Sequence, residues 1–278
     1  MKIGVIGMGI MGSGIAEVTA IAKHEVYATE VSQQLYQKGI ESISKSLDKL
    51  IEKKVVKEDK GTILSRIKYI DDYSKFGECD IIIEAIVENL NAKKELYKKL
   101  EPHLKKDTIL GSNTSSISIT SLASGLKNPE KFLGIHFFNP VPLMNLVEII
   151  KGIRTEQYAI DKTIEYVKSI NKEFVVVNDS PGFVTTRIIV TMVNEGAFIL
   201  QEGLASKEDI DKALKLGGNF PMGPLTLGDL IGLDTVLNIM DTLYESFKDP
   251  KYRAAPILRK MVEAGKLGKK SGEGFYKY

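Results

Sequence analysis

Ile3-Gly4-Val5-Ile6-Gly7-Met8-Gly9-Ile10-Met11-Gly12-Ser13-Gly14-Ile15 starts as a short apolar run, turns on spaced glycines, and continues as a helical pattern through Ile15, Ala16 and Val18. A strand that feeds a helix through G-x-G-x-x-G predicts a dinucleotide-binding turn. Gly7 allows the tight bend, Gly9 lets backbone approach a pyrophosphate, and Gly12 lets the helix pack on the strand, with Ile10 and Met11 spanning the loop. The helix amino terminus adds amide donors and a dipole that favours phosphate. Glu30 ends the next strand about twenty residues on, where an acid is expected to take ribose hydroxyls. A carboxylate there would repel the extra phosphate of NADP, so NAD is the expected cofactor and NADP the less favoured one; Ser32 and Lys38 nearby are the features on the other side.

Outward from that turn, short β-branched runs alternate with amphipathic helical patterns, the signature of a parallel sheet covered by helices. Strands are expected at Lys2 to Ile6, Glu25 to Thr29, Asp80 to Ala85, Thr108 to Gly111, Phe132 to Phe137, Leu146 to Ile150 and Phe174 to Asn178. Leu96, Leu100 and Leu104 repeat at a spacing of four and predict a helix over Ala92 to Leu104. Lys23-His24 stands where a helix should stop, a place that asks lysine for a left-handed conformation costing about 1 kcal/mol.

After Asp179-Ser180-Pro181-Gly182 the strand signals end, and helices are expected at Phe183 to Gln201, Lys207 to Leu216 and Leu225 to Phe247. The fold class is therefore α/β: a Rossmann-like, mostly parallel sheet domain over residues 1–180, followed by an all-helical C-terminal domain over 181–278. The helix Phe183 to Gln201 is apolar around most of its circumference, which suits burial on several sides, including a subunit interface.

Composition bounds the function. The chain has 278 residues and a formal net charge of +2, a balance that argues neither for nucleic acid nor for an acidic membrane surface, and neither is expected as the partner. Cys79 is the lone cysteine, which excludes an internal disulfide framework and a cysteine-rich zinc site and fits a reducing compartment, the cytoplasm; no metal is expected. The amino terminus has the outline of a secretory signal up to Ala20-Ile21-Ala22, but glycines and Glu17 interrupt it, and a soluble chain is expected.

Two further residues bear on chemistry. His136 lies in Gly134-Ile135-His136-Phe137-Phe138-Asn139-Pro140, and Glu148 in Leu146-Val147-Glu148-Ile149-Ile150. Imidazole suits proton transfer near neutrality, and a carboxylate in an apolar strand needs a partner to offset its desolvation. Together they suggest oxidation of an alcohol, with Glu148 orienting the ring.

With these residues assembled, the whole chain resembles the 3-hydroxyacyl-CoA dehydrogenases, of the short two-domain type that includes bacterial 3-hydroxybutyryl-CoA dehydrogenases. The motifs that carry the resemblance are Glu84-Ala85-Ile86-Val87-Glu88-Asn89, Ser112-Asn113-Thr114-Ser115-Ser116, His136 to Pro140, Asp179-Ser180-Pro181-Gly182-Phe183, Pro221-Met222-Gly223-Pro224 and Gly272-Glu273-Gly274-Phe275-Tyr276. The resemblance implies His136 as the base, Glu148 as its partner, and Ser115 bonding the substrate oxygen beside the nicotinamide. Glu88, Lys93 and Asn139 would line the cofactor pocket, and Lys270 would approach it. Ser46 and Lys53 match positions that contact coenzyme A, on a helix whose Lys45, Lys49, Lys53 and Lys54 could also form an ordinary solvated face. A homodimer through the C-terminal domain is likewise implied.

Two departures stand out. Thr186 precedes Arg187 where the family usually has asparagine at a substrate contact, and threonine loses the amide's paired donor and acceptor. Asn145 stands where relatives often carry lysine. Two rival readings remain at this stage: a gulonate-type sugar-acid dehydrogenase, and a catalytically silent NAD-binding protein.

Overall fold

The computed structural model describes residues 1–278, which fall into two compact units, Met1–Asp179 and Ser180–Tyr278. In the first unit the order is β1 (Lys2–Ile6), α1 (Ile10–Ile21), β2 (Glu25–Thr29), α2 (Gln33–Glu52), α3 (Lys60–Leu64), β3 (Ile67–Tyr69), β4 (Ile81–Glu84), α4 (Leu90–Leu100), β5 (Ile109–Ser112), α5 (Ile119–Ala123), β6 (Phe132–Phe137), β7 (Leu146–Lys151), α6 (Gln157–Ser169) and β8 (Glu173–Asn178). The strands form one sheet in the order β3-β2-β1-β4-β5-β6-β7-β8. Every neighbouring pair is parallel except β6 and β7. The order reverses between β1 and β4, and the crevice outside the strand ends at such a switch point is where open α/β sheets bind ligands.

β1, β4, β5 and β6 are buried almost throughout, as strands covered on both faces must be. Ile3, Val5, Ile81, Ile83, Ile135 and Val147 pack with Ile15 of α1, Leu47 of α2 and Tyr166 of α6. Side chains alternate along a strand, so Glu84, Ser112, His136 and Glu148 belong to the other face, where the Tyr97 ring of α4 lies tilted against Phe132 of β6 with centroids 5.3 Å apart. That face carries the polar chemistry.

The second unit is all-helical: α7 (Thr185–Gln201), α8 (Lys207–Gly217), α9 (Pro224–Ile231), α10 (Leu233–Phe247) and α11 (Pro256–Glu263) around a core of Val190, Val193, Leu225, Val236, Met240 and Leu258. Its carboxy terminus is stitched down by Asp229, whose carboxylate accepts from the Phe275 and Tyr276 amides at 2.9 Å each. α7 turns Val190, Val193 and Ala197 inward and leaves Ile188 exposed, so its apolar circumference is only partly covered within the unit.

Three expectations are corrected. The helix expected over Leu225 to Phe247 is two helices, broken at Gly232, whose φ of 102° a helix cannot contain. The helix expected to reach Leu104 ends at Leu100, because Pro102 has no amide to continue the ladder. It begins at Leu90, with Asn89 capping it by accepting from the Ala92 amide at 3.0 Å. Lys23 does adopt the left-handed conformation, at φ 66°. No helix is long and apolar enough to cross a membrane.

α1 also buries Glu17, 2% exposed, with Oε1 lacking any hydrogen-bond partner. Burial pushes its carboxyl up to about 7, and the Ser46 hydroxyl is the one group that opposes the shift. A folded-state value above the unfolded one means that the folded protein holds the proton longer. Stability therefore falls as pH rises from about 4.5 to about 7, by an amount on the order of 2–3 kcal/mol. Glu17→Gln should raise the denaturant midpoint at pH 8 and leave it nearly unchanged at pH 5; an equal gain at both pH values would show that Glu17 is not the titrating burden.

Candidate active site

The β1–α1 turn is built as its glycines require. Gly7 has φ 94°, donates its amide to the Thr29 carbonyl at 3.0 Å, and lies so close to β4 that a Cβ would stand 2.6 Å from the Ala85 oxygen. A Cβ on Gly12 would lie 1.7 Å from the Gly7 oxygen, so α1 can approach β1 only with hydrogen there. Gly9, the N-cap of α1, has nothing within 4 Å of where its Cβ would be. That open space at a helix amino terminus fits a pyrophosphate. Ile10 is exposed and Met11 half-buried beside it.

Glu30 is fixed at the end of β2 by two backbone donors, Met8 N to Oε2 at 2.8 Å and Val31 N to Oε1 at 2.7 Å. The carboxylate keeps lone pairs for further donors such as ribose hydroxyls. A cleft of about 220 Å³ opens here, lined by Gly7, Glu30, Val31, Tyr73, Ile86 and Leu96 among others.

Beyond β4 lies a buried ionic cluster. Glu84, 0% exposed, accepts from Lys93 Nζ at 2.5 Å and the Ile86 amide at 2.7 Å on Oε1, and from Tyr97 OH at 2.6 Å and Ser112 Oγ at 2.8 Å on Oε2. Burial, then the neighbouring carboxylate, drive the Tyr97 hydroxyl well above its ordinary value, so it stays a donor. Four donors are what a buried carboxylate needs to offset its desolvation, and removing one partner of such a pair typically costs roughly 3–5 kcal/mol. Glu88, on the loop after β4, accepts from Thr114 Oγ1 at 2.5 Å and from the amides of Ser115 and Ser116 at 3.2 Å. It thereby sets the conformation of the loop that carries Ser115.

β6 and β7 bring the proposed acid–base groups together. Their antiparallel register places His136 directly opposite Glu148, and Nδ1 lies 2.8 Å from Oε2, both residues buried. Phe138 packs against the imidazole with ring centroids 4.5 Å apart. The connecting loop carries a cis Asn139–Pro140 bond and leaves Asn139 exposed. Lys172 ties this loop down, donating to the Val141 and Met144 carbonyls at 2.7 and 2.6 Å, with burial lowering its pKa.

Residues 2–180 match the model of the 3-hydroxyacyl-CoA dehydrogenase NAD binding domain, and residues 182–278 match that of the 3-hydroxyacyl-CoA dehydrogenase C-terminal domain. The chain belongs to the 3-hydroxyacyl-CoA dehydrogenase family. It is 50% identical to a 3-hydroxybutyryl-CoA dehydrogenase of Clostridioides difficile, over 100% of this chain and 99% of that one. It is 42% identical to the mitochondrial hydroxyacyl-coenzyme A dehydrogenase of Sus scrofa, covering 99% of this chain and 90% of the relative. The solved (S)-3-hydroxybutyryl-CoA dehydrogenase PaaH1 from Ralstonia eutropha superimposes with a TM-score of 0.96 at 45% identity, over 100% of this chain and 98% of that one.

Within this family frame the expected residues fall unevenly. Gly7 and Glu30 line one cleft, Gly9 and Gly12 shape the turn that Gly7 begins, Glu88 holds Ser115, and His136 meets Glu148. Lys93 is 1% exposed, and its ammonium bonds Glu84 at 2.5 Å. Ser46 is half-buried beside Glu17, and Lys53 is exposed as the C-cap of α2. In the second unit Thr186 lies in the first turn of α7, and Lys270 bonds Asp234 at 2.7 Å. Sequence reading missed Glu84, Tyr97, Ser112 and Lys172. Glu84 carried a usable signal: like Glu148, it is a carboxylate in an apolar strand, here after Ile81-Ile82-Ile83, and such a group needs partners.

The glycines separate fold from binding. Gly9→Ala should leave thermal stability near that of the parent and weaken dinucleotide binding by roughly tenfold or more, since the methyl occupies the phosphate space; Gly12→Ala should lower stability itself by about 1–3 kcal/mol or more. Undiminished dinucleotide binding by Gly9→Ala would remove the turn from the cofactor site.

Proposed function

We propose that this protein catalyses reversible oxidation of an (S)-3-hydroxyacyl-CoA to the 3-oxoacyl-CoA with NAD, and that 3-hydroxybutyryl-CoA, named in its relatives, is its substrate. The buried His136–Glu148 pair carries the reading. In the oxidative direction the substrate hydroxyl loses its proton to His136, through Nε2 since Nδ1 faces the carboxylate, and the carbon-bound hydrogen leaves with its electron pair as hydride. The cofactor, when bound, supplies the hydride acceptor. Glu148 holds the ring in one orientation and stabilises the imidazolium as it forms. Ser115 offers a hydroxyl to the substrate oxygen as charge develops there. Gly7, Gly9, Ile10, Met11 and Gly12 hold the pyrophosphate, Glu30 the ribose, and Glu88 and Asn139 the nicotinamide end. Repulsion between Glu30 and a ribose phosphate supports NAD over NADP.

The basic face of α2, with Lys53 and neighbouring Ser46, suits coenzyme A phosphates, and Thr186 and Lys270 are assigned to substrate and cofactor on family grounds. Exposed Ile188 on α7 supports a homodimer through the second unit. The cytoplasm suits a chain whose lone thiol, Cys79, is buried and pushed up to about 12.

NADH consumption with acetoacetyl-CoA, against free acetoacetate and NADPH at the same pH, tests the whole reading. Turnover is expected with the thioester and NADH; faster use of NADPH would overturn the role of Glu30, and oxidation of gulonate in place of the thioester would favour a sugar-acid dehydrogenase. Glu148→Gln should fold normally and lose turnover by on the order of 10² to 10⁴, the scale of general acid–base catalysis. Parental turnover in that variant would sink the dyad.

A further inference from the structure

We propose that Asn113 is a positioning residue for the reaction: its side chain takes the place of backbone that β5 no longer offers to β6, and so fixes Ser115 relative to His136. The inference rests on the dehydrogenase reading. β5 and β6 pair from Leu110 opposite Phe132 only as far as Ser112 opposite Gly134. β6 then runs on through Ile135, His136 and Phe137, while the chain after Ser112 turns away into the loop that carries Ser115. The two groups assigned to the substrate oxygen, the Ser115 hydroxyl and the His136 imidazole, therefore lie beyond the last paired residues. No pairing of β5 with β6 sets their separation there.

Asn113 bridges that gap. Its backbone amide donates to the Glu84 carbonyl of β4 at 2.8 Å, and its side-chain Oδ1 accepts from the Phe137 amide of β6 at 2.8 Å. That N–H belongs to the peptide joining His136 to Phe137, so the bond falls directly beside the histidine. Phe137 is 2% exposed, and a buried backbone N–H needs a partner. A carboxamide offers the same carbonyl acceptor as a peptide group, and because the partner here is a donor, the oxygen end must face it. Glu88 holds the Ser115 amide from its own loop, where its side chain is 40% exposed. Asn113 instead ties the start of the Ser115 loop to two strands of the sheet, β4 through its backbone and β6 through its side chain. It acts in this scheme through Ser115 and His136, which meet the substrate.

A group that merely supports the fold and one that sets the spacing of two catalytic side chains differ in a double-variant cycle. Asn113→Ala should lower kcat at saturating NADH and acetoacetyl-CoA by roughly ten- to a hundredfold, the scale of a small misplacement of reacting groups. NADH affinity, read by fluorescence titration without acyl-CoA, should change by no more than about threefold. Ser115→Ala should cost less kcat in the Asn113→Ala background than in the parent, by about fivefold or more, because the hydroxyl is already out of place. Asn113→Asp keeps an acceptor oxygen on a side chain of the same shape, so it should fold and turn over even if Asn113→Ala does not fold. In the parent itself the Phe137 amide should be protected from hydrogen exchange. Losses from Asn113→Ala and Ser115→Ala that simply multiply, or an unprotected Phe137 amide in a parent that reduces acetoacetyl-CoA, overturn this inference alone. A parent that does not reduce acetoacetyl-CoA overturns it together with the proposed function.

Discussion

A helix can begin against the end of a strand only if no side chain stands between them, and Gly12 is the position at which this chain meets that limit. Even a methyl there would overlap the Gly7 carbonyl. Because hydrogen occupies the space, α1 buries almost its whole length, Gly14 packs on Val141 where a Cβ would be 2.8 Å away, and Gly39 of α2 closes on the Met8 carbonyl. The Met8 amide then falls within reach of Glu30. One close approach therefore fixes the helix amino terminus, the carboxylate at the end of β2 and the cleft between them.

A second constraint governs the other half of the site. Parallel strands are joined by crossovers, and their facing residues come from distant elements; the β6–β7 reversal instead lays two consecutive strands antiparallel, with His136 opposite Glu148. Side chains directly opposite in such a pair share a face and stand close enough for a hydrogen bond, whereas a slip of one residue would send them to opposite faces. The loop that makes the reversal is held by Lys172, from the turn between α6 and β8, so it depends on an ammonium inside the unit as well as on the strands.

Legibility followed the range of the causes. The glycine turn and the left-handed Lys23 arise from sterics within a few residues, and Glu30 and the buried strands from local sequence patterns, and each could be read directly. β3 could not: three residues, Ile67–Tyr69, exist as a strand only because β2 offers them an edge. α6, Gln157–Ser169, was not singled out, and its weight in the core comes from Tyr166 reaching Thr19 on α1 at 2.6 Å. The apolar period through Leu225 to Phe247 hid a break because Gly232 interrupts the backbone without interrupting the pattern. Lys93 was assigned by likeness to a position, and where its flexible side chain points is decided by Glu84, nine residues away.

Three carboxylates of the first unit are almost fully buried, and their surroundings sort them by role. Glu148 has an imidazole across the sheet, a partner that can gain or lose a proton, which is what the proposed acid–base role requires. Glu84 has an ammonium, two hydroxyls and an amide, a set with no proton to spare for a substrate, which makes it an anchor. Glu17 has little beyond Ser46, and burial pushes its carboxyl up to about 7. Desolvation is common to all three, so burial alone does not mark a functional acid. What marks it is whether the groups that offset burial can also change charge, and on the polar face of this sheet that condition is met where His136 faces Glu148.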